Sequence, residues 1–168
     1  MAETHGFTIR LNGEDGKPMT AVFSSVRRTP ALGGILKEMR LAQRKYDRLV
    51  LERGMYRSRI QALASQDETT RPGETDPYIT DEGFASLRAK IDEATAAFEA
   101  LQDQIETANE QMCELTYQFF LLGFKGAGYT DEIAEKYATA CDPNDFMNLR
   151  DRAMTGCGVV DFTKRDTN

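Results

Sequence analysis

The chain has no tryptophan, a single histidine and only three cysteines among its 168 residues, and each scarcity removes a class of chemistry. His5 sits in a polar leader ahead of the first apolar run. A histidine metal centre and a Ser-His or Cys-His nucleophile therefore lack their central group, and neither catalysis nor a cofactor or metal is expected. Cys113, Cys141 and Cys157 stand far apart, which fits neither a CxxC metal pair nor an even-numbered disulfide framework. No stretch approaches the ~18 uninterrupted apolar residues that cross a bilayer, and Met1 to Gly6 holds no apolar core of signal-peptide length. The expectation is a soluble protein of the reducing cytoplasm with no membrane contact. A globally basic surface is also missing, since the formal net charge is −6, and direct nucleic-acid binding is disfavoured.

What is present is apolar material in regular patterns. Hydrophobic residues make up 40% of the chain and charged residues 29%, enough for a core but with a surplus of charge that long solvated helices explain. Phe7, Ile9 and Leu11 alternate with Thr8 and Arg10, the period of a half-buried strand. Asn12 to Pro18 is rich in turn formers. Met19 to Phe23 is expected to return as a second strand, and Val159 to Phe162 to supply a third, because a lone hairpin is marginal in water.

Pro30 is suited to the first position of a helix. Beyond it, steps of three and four connect Leu32, Ile35, Met39, Ala42, Tyr46, Leu49, Arg53, Tyr56, Ile60 and Leu63, a heptad seam with one charged interruption. Gly54 beside Arg53 weakens the same place, since an interior glycine costs about 1 kcal/mol relative to alanine. A bend, an exposed guanidinium or a carboxylate partner is expected there. A second seam runs without interruption through Phe84, Leu87, Ile91, Ala94, Phe98, Leu101, Ile105, Ala108, Met112, Leu115, Phe119 and Leu122. At 1.5 Å per residue, about 40 helical residues make a rod of ~60 Å.

Charge differs sharply between the two. Residues 32–64 hold eight basic residues against three acidic ones, whereas residues 82–122 hold eight acidic residues against Arg88 and Lys90. Opposite signs favour pairing of the two helices within the chain as an antiparallel hairpin. Arg40, Arg44, Arg48, Arg53 and Arg57 form the basic face complementary to the acidic helix. Pairing within the chain is preferred over phosphate binding for these cations. Residues 65–80 between the rods are polar and carry Pro72 and Pro77, as in an exposed linker.

After Leu122 the run Gly123 to Gly128 is expected to end the helix rather than cradle phosphate, because the Gly-Lys-Ser/Thr element is absent. Thr130 and Asp142 read as caps of two short helices. The first buries Ile133, Ala134, Tyr137 and Ala138, the second Phe146, Leu149, Ala153 and Met154. The cluster Asp142, Asn144 and Asp145 lacks the glycine and glutamate of an EF-hand loop and reads as capping. The resulting fold class is α+β, mainly α: a long helical hairpin with a small head. The expected organisation is 1–30 a β-hairpin of the head, 31–64 a basic heptad helix, 65–80 a linker, 81–122 an acidic heptad helix and 123–168 the rest of the head.

The run Gly123-Phe124-Lys125-Gly126-Ala127-Gly128-Tyr129, then Asp131-Glu132 and the closing Gly156-Cys157-Gly158-Val159-Val160-Asp161-Phe162, set behind a short β N-terminus and an acidic helical body, resembles small tail assembly chaperones of tailed phages. The long heptad pair departs from the compact helical body of many such proteins. The resemblance implies a non-enzymatic protein that coats or recruits the tape measure protein while tail tube subunits assemble, and that often oligomerises. From the residues themselves comes a broader expectation, a protein partner that is itself helical, with homo-oligomerisation left open. Its contact surface is the seam Phe84, Leu87, Ile91, Phe98, Leu101, Ile105, Met112, Leu115 and Phe119, above all the part from Phe98 to Phe119. Two alternatives remain: a phage or mobile-element inhibitor of a host nuclease or defence complex, acting by steric block with its arm or by nucleic-acid mimicry with its acidic face, and a coiled-coil virion or scaffold component.

Overall fold

A computed structural model describes residues 6–13, 16–69, 81–156 and 159–161. The chain is α+β and mainly helical. In order it forms β1 (Phe7–Asn12), β2 (Pro18–Phe23), α1 (Pro30–Thr69), α2 (Asp81–Gly126), α3 (Asp131–Thr139), a 3₁₀ turn (Pro143–Asp145), α4 (Phe146–Thr155) and β3 (Val159–Asp161). The residues group into two compact units, one drawn from 1–42 and 111–168, the other comprising 43–110.

The first unit is built on a three-stranded sheet of order β2-β1-β3. β1 pairs antiparallel with β2, placing Ile9 opposite Ala21, and parallel with β3, placing Ile9 opposite Val160. The alternation along β1 holds: Phe7, Ile9 and Leu11 are buried while Arg10 faces solvent. These three side chains share a core with Phe23, Leu32, Phe119, Phe124 and Leu149. Aromatic rings make much of its contact network, with Phe23 edge-on to Phe124 at 5.1 Å between centroids and Phe119 edge-on to Phe146 at 5.2 Å. Such tilted geometries suit the ring quadrupoles. Tyr129 serves both core and edge: its ring packs on Tyr137, and its hydroxyl accepts from the Val22 amide at 3.0 Å.

Three expectations for this unit need correction. The helix does not stop at Leu122. It runs on to Gly126, and Gly128 carries the positive φ of +101° that turns the chain. Gly123 is a packing residue, because a Cβ there would fall within the Phe23 ring. Ile133 and Met154 are exposed rather than buried, so α3 and α4 each bury a narrower stripe, Ala134 with Ala138 and Leu149 with Ala153. The capping expectations agree with the geometry: Thr130 accepts from the Ile133 amide, and Asp142 accepts from Asn144 at 2.9 Å.

In the second unit α1 and α2 pack through Leu49, Leu101, Ile105 and Ala108, with Tyr46, Val50 and Tyr56 against them. α1 passes Gly54 without a break and extends to Thr69, so residues 65–69, read as linker, are helical. Their polarity is no obstacle: Ser65 donates to the Gln61 carbonyl one turn back at 2.9 Å, a bond compatible with helix. The units also divide within both long helices, at 42/43 and 110/111. The start of α1 and the end of α2 belong with the sheet because Leu32, Met39, Leu115 and Phe119 are buried in its core.

Candidate functional site

The heptad positions of both helices all turn inward to some degree, but unevenly. In the second unit Ala94, Leu101, Ile105 and Ala108 are buried, whereas Phe84, Leu87, Ile91 and Phe98 are only half-buried. In the first unit Leu115 and Phe119 are buried and Met112 half-buried. The surface expected for a partner, from Phe98 to Phe119, is therefore largely consumed within the chain. Apolar surface that remains open lies nearer the start of α2, from Phe84 to Phe98. Arg88 sits over the Phe84 ring at 5.1 Å from its centroid, within cation–π range.

Beside Phe98 the helix pair opens into a cleft of about 750 Å³ lined by Val50, Arg53, Gly54, Arg57, Ile60, Thr95, Phe98 and Glu99. Its origin lies in the two residues that interrupt the first seam. Gly54 presents no side chain, and a Cβ built there meets nothing within 4 Å. Arg53, in place of an apolar seam residue, stretches across to donate from Nη1 to Gln102 Oε1 at 2.6 Å. Gln102 in turn donates to Glu106 at 3.0 Å. The guanidinium thus meets an amide oxygen where a carboxylate was one expectation, and among the described residues no carboxylate within 4.0 Å neutralises it.

The five arginines expected to pair with α2 do not do so by salt bridge. Arg40, Arg44, Arg48 and Arg57 are exposed, and among the described residues no ion pair within 4.0 Å links α1 to α2. Angular position explains this. Arg44 and Arg48 stand on the side of α1 away from Leu49 and Arg53, so charge totals alone overstate contact. Apolar burial holds the helices together in this unit.

The walls offer apolar faces from Val50, Ile60 and Phe98, two guanidinium groups and one carboxylate. This combination can hold a bulky apolar side chain together with a neighbouring acid. Among the described residues no group of three His, Cys, Asp or Glu side chains gathers to hold a metal, and no helix is long and apolar enough to cross a membrane. His5 and Cys157 lie outside the described residues. Cys113 is exposed and Cys141 buried. Sequence reasoning missed Val50, Thr95 and Glu99 as cleft residues. The Arg53-Gly54 pair was the signal that could have located them. No protein-family model, curated protein or solved structure matches the chain.

Proposed function

We propose that the chain is a non-enzymatic protein–protein interaction module, similar in role to a phage tail assembly chaperone, that holds a helical, tape-measure-like partner in the host cytoplasm. The observation that carries this reading is the open cleft around Gly54, next to the stretch of the helix pair that Leu49, Leu101 and Ile105 close. A helix laid along it would bury a large side chain against Val50, Ile60 and Phe98 and set an acidic residue by Arg53 and Arg57, the helix-in-groove mode of recognition. Co-expression with a long tape-measure-like helix should yield a soluble complex. Gly54→Leu should abolish the complex by filling the cleft while leaving helix content unchanged. A complex unaffected by Gly54→Leu, or no complex with any such helix, would count against the reading.

The exposed acids of α2 favour a second reading, inhibition of a nuclease or defence complex by nucleic-acid mimicry. Competition with DNA or RNA for a basic effector would support it, and failure to compete would remove it.

A further inference from the structure

Within the second unit the two helices present opposite charge to solvent on surfaces that the core does not use up and that share only Glu99 with the cleft. Arg44, Arg48, Leu51, Met55 and Arg59 recur on α1 at steps of four, three, four and four, so they share one stripe. That stripe lies away from the buried Leu49, and its three arginines outnumber the two exposed acids that border it, Asp47 one turn after Arg44 and Glu52 one turn after Arg48. Leu51 and Met55 are each 68% exposed. Two large apolar side chains held in water between arginines form a more specific surface than a solvated charged face. On α2, Asp92, Glu99, Asp103, Glu106 and Glu110 recur at helical steps, all exposed. Ala96 and Ala100 beside them are exposed as well, and their short side chains leave room for a neighbouring helix to come close.

We infer that the basic stripe of one molecule docks on the acidic stripe of a second copy, with Leu51 and Met55 covering Ala96 and Ala100. Charge complementarity selects this occupant. Among the described residues Arg44, Arg48 and Arg59 make no ion pair within their own chain, and the same sequence supplies a matching acidic stripe. Exposed ion pairs contribute little individually, so the apolar contact supplies adhesion while the charges set partner and register. Because the two stripes are different surfaces, each molecule offers one of each, and association either closes reciprocally or continues as a series.

Sedimentation velocity on the full chain tests this at 50 mM and 500 mM NaCl. Assembly is expected at the lower salt, with at least a tenfold weaker apparent affinity at the higher one, as screening requires. Arg44→Glu with Arg48→Glu should be monomeric, as should Asp103→Lys with Glu110→Lys, and mixing these two variants in equal amounts should restore the complex. Leu51→Gln with Met55→Gln should weaken assembly at both salt concentrations, and circular dichroism of each variant should match the parent. A monomeric parent at both salts would overturn the proposal, as would charge variants that assemble like the parent or a mixture that fails to associate. A parent that stays monomeric but binds a short DNA duplex through Arg44 and Arg48 would reassign the stripe to phosphate recognition.

Discussion

Three glycines show how little a residue's type says about its work. Gly123 is needed for space, since Phe23 occupies the volume its Cβ would take. Gly123→Ala should lower stability by about 1–3 kcal/mol through overpacking, read as a lower urea midpoint at unchanged slope. Gly54 has open space around it, so Gly54→Ala should raise stability by about 1 kcal/mol through helix propensity alone. Gly128 has a φ of +101°, a conformation that side chains resist. In the sequence all three look alike. A glycine after a heptad run reads as a helix stop, and the close approach of a ring from a distant strand leaves no local trace. Tyr129 is similar, because its bond to the Val22 amide joins residues far apart in the chain. Tyr129→Phe should cost about 1 kcal/mol by leaving that amide without its acceptor, with faster hydrogen exchange at Val22 as the direct check.

The elements were more legible than their edges or their charges. Alternation at Phe7, Ile9 and Leu11 and the heptads of α1 and α2 recur as burial because both patterns record which side of an element meets a core. The ends of the helices were misjudged, since polar residues such as Ser65 and Gln66 are compatible with helix as well as with linker. Arg53 does reach α2 through Gln102, but Arg44 and Arg48 turn away from it, because a count of charge along a segment carries no angular information. The cleft was half visible: Arg53 and Gly54 marked the weak point, but its opposite wall, Thr95, Phe98 and Glu99, depends on which turn of α2 lies across from it. Ile105→Ala should therefore cost about 2–5 kcal/mol as a buried truncation, while Leu51→Ala should leave the thermal midpoint of dilute, high-salt protein nearly unchanged. Equal losses from the two would show that the inner and outer faces of the hairpin have been confused.

For the molecule as a whole, two separate cores imply uneven stability. The core beneath the sheet gathers Phe7, Ile9, Leu11, Phe23, Phe119, Phe124 and Leu149. The buried core of the second unit contains Leu49, Leu101, Ile105 and Ala108. Fewer buried apolar contacts mean a lower free energy of local opening. Native-state hydrogen exchange should find amides of residues 43–66 and 84–110 opening before those of β1 and the end of α2. Uniform protection throughout would contradict this division.

The unit that holds the sheet is assembled from both ends of the chain, and this has a consequence for synthesis. β1 and β2 leave the ribosome with Phe7, Ile9 and Phe23 uncovered, because Phe119, Leu149 and the strand that pairs with β1 on its other side follow them by about a hundred residues or more. Residues 43–110, whose contacts lie within one continuous stretch, are complete earlier and can fold while the remainder emerges. The nascent protein thus carries a bare, sticky hairpin until residues 119–161 have emerged, and slowing the ribosome ahead of α4 should lower the soluble yield.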